Sequence, residues 1–153
     1  MGNRYGLEIR AAAGPDAGAL VALLGEVGVT VGAADLAARL ETLQRGGGTA
    51  LLAVVWGPPS GLVALAPVAT LGAARPFGLI TTFVVGLESR RRGIGRVLLK
   101  AAGRAARQAG CDRLRLSVGR DQQALHAFCA AAGFAGTDEL YERPLLKRGS
   151  GER

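Results

Sequence analysis

The residues best suited to chemistry in this 153-residue chain lie in one short run, Arg90-Arg91-Arg92-Gly93-Ile94-Gly95-Arg96. Guanidiniums beside glycines at the start of a helix suit an anion, above all a phosphate. The first amide N–H groups of a helix have no partner, its dipole is positive there, and glycine lets the backbone approach a ligand closely. Two phosphate loops can be tested against the run. No Lys-Ser or Lys-Thr follows it, as a P-loop requires, and the third glycine of a dinucleotide fingerprint would fall on Leu98. Taken alone, the run also reads as a helix start with a solvated basic face. Three other side chains could move protons. His126 is the only histidine and can titrate near neutrality or serve packing; Cys129 follows one helical turn later; Glu26 is either a base or an ordinary surface carboxylate.

The charge is concentrated where the run lies. Residues 86–120 carry ten basic and two acidic side chains, while 1–85 carry five of each and 121–153 four against five. The whole of the +7 net charge therefore sits in one stretch, which suggests a local anion site rather than a generally adhesive surface. Length allows one ordinary domain with a full core, and 49% hydrophobic with 20% charged residues excludes wholesale disorder. Cys111 and Cys129 form no CxxC, so neither a disulfide scaffold nor a four-cysteine metal site is expected, and a reducing, cytoplasmic setting is the simplest reading. Thr49–Ala74 carries no charge and is long enough to span a bilayer, but Gly57-Pro58-Pro59-Ser60-Gly61 interrupts it. Two buried strands joined by a turn are expected there instead of a membrane span. The start, Met1 to Gly6, has no apolar core for a signal peptide.

The elements that must position the run follow from spacing. A strand is expected at Leu7–Arg10, and a helix opened by Pro15-Asp16 carries Leu20, Leu23 and Leu24 at helical intervals. Asp35 is the expected N-cap of a second helix reaching Gln44. Strands are expected at Ala50–Trp56, Leu62–Val68 and Leu79–Val85. A strong helix then covers Ile94–Ala109, with Ile94, Val97, Leu98, Ala101 and Ala105 inward and Arg96, Lys100, Arg104 and Arg107 outward. Arg113–Val118 alternates as a strand, Asp121 caps a helix to Ala132, and a last strand is expected at Leu140–Leu145. This is a mixed α/β (α+β) chain: one domain over residues 1–146, a central mixed sheet with about four helices, and a loose tail over 147–153.

Arg90-x-x-Gly93-x-Gly95 resembles the [QR]-x-x-G-x-[GA] pyrophosphate loop of the GNAT superfamily of acyl-CoA N-acyltransferases. Phe83-Val84-Val85 is similar to that family's central strand, and Leu125-His126-Ala127-Phe128-Cys129 with Gly133-Phe134 is similar to its A-H-x-F-Y-x-x-x-G-F helix. The resemblance covers nearly the whole chain. It implies a sheet that splays open, with the pantetheine of acetyl-CoA pairing along Phe83, Val84 and Val85. The pyrophosphate would be held by Arg90, Arg91, Arg92, Gly93, Ile94, Gly95 and Arg96, and no metal is implied.

The implied reaction is attack of a neutral amine, on a small molecule or a protein, on the thioester carbonyl, with a backbone N–H near Val84 or Val85 as oxyanion donor. Cys129 stands where the family usually has an acidic Tyr. It is either a general acid or a small buried apolar residue, with water then reprotonating the thiolate. Thr81 and Thr82 occupy the stretch where the family often places a basic Glu, which leaves Glu26 or water-mediated deprotonation. Acceptor choice is expected from Val27–Ala34, the Pro58 turn and the Leu71–Gly78 loop. These have no acidic cluster, which disfavours a polycation. Trp56, Tyr5 and Tyr141 form no local aromatic box. A non-catalytic acyl-CoA-binding protein is the alternative reading. A nucleic-acid binder ranks last, for want of a reader motif, and a homodimer is compatible with everything above.

Overall fold

Leu62 to Leu65 form an unbroken apolar run, the pattern of a strand covered on both faces. A computed structural model describes residues 6–90 and 92–146. The expectations for Met1–Tyr5, for Arg91 and for the 147–153 tail lie outside the described residues. The chain divides into two compact units, Met1–Leu116 and Ser117–Arg153.

The first unit holds strand β1 (Glu8–Ala11), helices α1 (Ala17–Gly25) and α2 (Ala33–Arg45), then β2 (Thr49–Val54), β3 (Gly61–Val68) and β4 (Phe77–Val85). Helix α3 (Ile94–Gln108) and β5 (Leu114–Leu116) complete it. The strands lie in the order β1-β2-β3-β4-β5, antiparallel except for the parallel β4–β5 pair, so the sheet is mixed as expected. Alternation along β3 divides the core. Leu62 and Ala64 pack with α1 and α2 (Leu20, Leu23, Leu36, Leu40), and Val63 and Leu65 pack with α3. No helix of the described residues is long and apolar enough to cross a membrane; the uncharged run is the β2–β3 hairpin.

Helix α3 is buried along Ile94, Leu98, Ala102 and Ala106, with Val97, Ala101 and Ala105 only partly covered, so beyond Leu98 the inward stripe lies one residue further along than expected. Its alanines let the helix lie close on the sheet. A Cβ at Gly61 would meet Leu98 Cδ1 at 2.8 Å and Val84 O at 3.1 Å, and one at Gly78 would meet Ala106 Cβ at 3.0 Å. Glycine at both positions is what permits that approach. Helix α2 begins one turn earlier than expected, on Gly32 as N-cap. Asp35 lies in the first turn, where its charge still complements the helix dipole.

Before α1, Asp16 accepts hydrogen bonds from both terminal nitrogens of Arg10 (2.9 and 2.8 Å) and from Ala13 N–H (2.8 Å). The Arg10 hydrogen bond, aided by the Ala13 amide, holds the Asp16 carboxyl below the usual carboxylate range. A carboxyl depressed in the folded state stabilises at pH values above its unfolded pKa, and that contribution is lost as pH falls through its folded value. Asp16→Ala should therefore lower stability at pH 7 by about 1 kcal/mol, with the difference from wild type closing below about pH 4. Thermal melts across that range check it. A deficit of constant size at all pH values would show that the charge is not responsible.

The second unit contains α4 (Gln123–Ala131). Gln122, not Asp121, precedes it, and the Gln122 side chain accepts Gly119 N–H at 2.8 Å. The helix stops at Gly133 as expected, through Gly133 N–H to Ala130 O and Phe134 N–H to Cys129 O. The expected last strand at Leu140–Leu145 does not form; residues 134–146 have no regular structure. A strand needs a ladder partner, no other strand occurs in the described part of this unit, and Pro144 lacks a donor. Strand β5 is likewise shorter than the alternation of Arg113–Val118 suggested.

Candidate active site

The site is built outward from β4. Its pairing with β3 shifts register between Ala64 and Leu65: Ala64 pairs with Thr82 and Leu65 with Ile80, leaving Thr81 as an extra residue. This is a β-bulge, and it reverses the phase of the strand. Before it, Gly78 N–H donates to Arg113 O and so faces β5. Beyond it, Gly86 N–H donates to its opposite residue, Ser60 (2.8 Å). The two-residue period of an antiparallel ladder then makes Leu62–Val84 and Ala64–Thr82 the hydrogen-bonded pairs, which turns the peptide groups of Phe83 and Val85 away from β3.

The other edge of β4 completes the geometry. The β4–β5 ladder runs only over Gly78–Leu114, Leu79–Arg115 and Ile80–Leu116, whereas β4 continues against β3 to Val85. The sheet therefore opens between β4 and β5 after Ile80. The oxygen of Val85 on that side accepts Arg90 Nε at 3.3 Å. The side chain of Val84 is buried with α1 and α2, and those of Phe83 and Val85 pack toward α3.

From Val85 the chain passes Gly86 and a 3-10 turn (Leu87–Ser89) and enters α3. Gly93 is the N-cap, at φ +78, a left-handed conformation that glycine adopts at least cost. The N-cap glycine has no side chain to cap the helix, and no acidic residue lies in its first turn. Among the described residues the amides of Ile94, Gly95 and Arg96 have no hydrogen-bond acceptor, which leaves them for an external one. Arg92, Gly93 and Arg96 are exposed around them. A helix start on glycine among guanidiniums is a cationic surface made largely of backbone.

The proton-transfer candidates are distributed over both units. Glu26, at the end of α1, accepts Leu87 N–H through Oε1 at 2.9 Å, which brings the first helix to the exit of β4. Within the second unit, His126 is exposed with Nε2 2.9 Å from Gly119 O, and Cys129 lies one turn further along α4. Burial pushes the Cys129 thiol above its ordinary pKa, so at neutral pH it carries its proton. Cys111 is buried and free, its thiol raised chiefly by burial and then by Asp112. Thr81, at the bulge, donates from Oγ1 to Ala64 O at 3.5 Å. Among the described residues no group of three His, Cys, Asp or Glu is placed to hold a metal.

The three acceptor segments do not share one end of the sheet. Val27 follows Glu26, and the Pro58 turn joins β2 to β3 beside Gly86, both at the end where β4 exits. The Leu71–Gly78 loop connects β3 to β4 at the opposite end. Trp56, at the hairpin tip, is 86% exposed. Sequence reasoning missed the bulge, the Glu26–Leu87 bond and the close approach at Gly61. Of these only Gly61 had a local trace, a glycine opening a strand, and the turn reading absorbed it.

A splayed α/β sheet whose strand β4 leads through an arginine- and glycine-rich turn into a helix with no acidic residue in its first turn is an arrangement suited to an anionic ligand. The chain belongs to the acetyltransferase (GNAT) family, whose match covers residues 21–134. It is by that membership an acetyl-CoA-dependent N-acetyltransferase. A solved protein of Agrobacterium tumefaciens str. C58, provisionally described as an acetyltransferase, is 27% identical at a TM-score of 0.78, covering 90% of this chain and 99% of that one. An acetyltransferase of Trypanosoma brucei is 22% identical (TM-score 0.77; 91% and 99% covered). The aminoglycoside N-acetyltransferase AAC(6')-Iy in complex with CoA is 17% identical (TM-score 0.79; 92% and 95% covered). The last two likenesses bear on the fold alone. No curated protein sequence matches significantly.

Proposed function

We propose that this enzyme transfers the acetyl group of acetyl-CoA directly to a primary amine, with pantetheine lying along the open edge of β4 and the pyrophosphate at the start of α3. The observation that carries the reading is that the β5 ladder stops at Ile80 while β4 runs on to Val85, after which a 3-10 turn leads into a helix that starts on glycine. An extended pantetheine arm can join such an edge as a strand would, through backbone groups indifferent to side chain. The amides of Ile94, Gly95 and Arg96 take the pyrophosphate, with Arg92, Arg96 and the sequence-adjacent Arg91 supplying charge. Arg90, bonded to Val85 O, braces the turn.

The amine nitrogen attacks the thioester carbonyl; the C–N bond forms, the C–S bond breaks, and the amine proton leaves to water. Of the two donors named from sequence, Val84 N–H is turned to β3 by the ladder, so Val85 N–H is the candidate for the developing oxyanion. The departing thiolate takes a proton from water; Cys129, in the second unit, is the candidate acid read from sequence, and burial keeps its thiol protonated at neutral pH. His126 has its Nε2 beside Gly119 O, a contact suited to holding the start of α4 as much as to a relay. The acceptor is a small-molecule or protein amine, and a polycation is disfavoured because Val27–Ala34, the Pro58 turn and the Leu71–Gly78 loop carry no acidic residue.

Binding and turnover test the reading separately. Acetyl-CoA at about a hundred times its Kd should add ~2.7 kcal/mol to stability, which raises the melting temperature by about 5–10 °C. A panel of amines with mass detection of N-acetyl products then identifies the acceptor. An unchanged melt at millimolar acetyl-CoA would refute the placement of the site.

A further inference from the structure

Glu26 occupies a position that neither a base nor a surface carboxylate requires. It follows the last residue of α1 as its C-cap, and this end is closed by Gly28 N–H to Gly25 O (3.2 Å) and Val29 N–H to Leu24 O (3.1 Å), the paired bonds of a Schellman stop. A helix end fixed in this way aims its side chains. The Glu26 carboxylate points across 61 residues of sequence to Leu87 N–H, the first amide after Gly86. Gly86 itself is enclosed: a Cβ there would lie 3.4 Å from Leu23 Cδ1, 3.4 Å from Ser60 O and 3.7 Å from Glu26 Oε1. An anion at the C-terminus of a helix opposes its dipole, so the carboxylate has no local electrostatic reason to be there.

We infer that Glu26 is a positioning residue that ties the end of α1 to the exit of β4, setting the direction in which the chain enters the Arg90–Arg96 turn. The same bond fixes the start of the Val27–Ala34 loop, so the phosphate turn and the acceptor-side loop share one anchor. This rests on the acetyl-CoA site proposed above. The role needs a hydrogen-bond acceptor at the reach of a Glu side chain, not a negative charge, and Gln meets that need.

Isothermal titration with acetyl-CoA on the full chain tests it, with E26A and E26Q compared with wild type. The expected result is that E26A weakens acetyl-CoA binding by roughly five- to tenfold, the loss of one hydrogen bond to a charged group. E26Q should recover binding to within about twofold of wild type and melt no lower, since it removes a charge opposed to the helix dipole. An E26A protein that binds like wild type overturns the inference, as does an E26Q protein as weak as E26A. If E26Q binds acetyl-CoA normally but loses turnover and the acid limb of its pH–rate profile, Glu26 is the base and the inference is likewise overturned. Failure of wild type itself to bind acetyl-CoA is a different result, and refutes the site beneath the inference.

Discussion

Gly95→Glu is expected to weaken acetyl-CoA binding at least about a hundredfold while leaving the protein as stable as wild type, or more so. Gly95 is the second residue of α3 and is not among the glycines with positive φ, so any residue can adopt its backbone. Replacing glycine inside a helix gains up to about 1 kcal/mol, and an acidic side chain in the first turn complements the dipole. The same carboxylate would lie where the proposed site holds the pyrophosphate, and like charges in contact cost several kcal/mol. Gly95→Ala separates bulk from charge and should bind more weakly than wild type but far more tightly than Gly95→Glu. Titration calorimetry with a parallel thermal melt reads both quantities. If Gly95→Glu binds acetyl-CoA normally, the anion is held elsewhere.

Leu98→Ala should cost about 2–5 kcal/mol, the range for emptying a fully buried leucine site. Leu98 is 0% exposed and packs in the core between α3 and the sheet, with its Cδ1 against Gly61. It anchors the first turns of α3, so acetyl-CoA binding should weaken as well, through loss of the helix start's position rather than loss of a contact. The tight approach also predicts a compensation. Gly61→Ala alone forces a Cβ to 2.8 Å from Leu98 Cδ1, but in the Leu98→Ala background that methyl enters the vacated space. The double mutant should therefore be less destabilised than the sum of the two single changes, a coupling expected of side chains in contact. Denaturant unfolding of the four proteins measures it, and strict additivity would contradict the packing.

Local features were legible where the physics is local. The spacing of Leu20, Leu23 and Leu24 placed α1, the apolar run from Leu62 placed β3, and the glycines of Arg90–Arg96 placed the start of α3 at Ile94. The amphipathic pattern of α3 was read correctly in extent but one residue out in its stripe, because alanines at 102 and 106 pack inward as well as those at 101 and 105 would. The expected strand at Leu140–Leu145 shows the opposite limit. Alternating apolar residues permit a strand, but only a ladder with a neighbouring backbone makes one, and residues 134–146 form no ladder among the described residues.

The sequence by itself determined the fold class, the order of α1 through α3, the concentration of positive charge and the arginine- and glycine-rich turn before α3. These depend on periodicity, glycine placement and side-chain type within a few residues of one another. Only the tertiary structure decided that Thr81 is a bulge, that β5 leaves β4 after Ile80, and that Glu26 reaches Leu87. Each of these is a matter of register or of contact between segments tens of residues apart. Strand register is set by the packing of whole faces, so no short stretch of sequence specifies it alone.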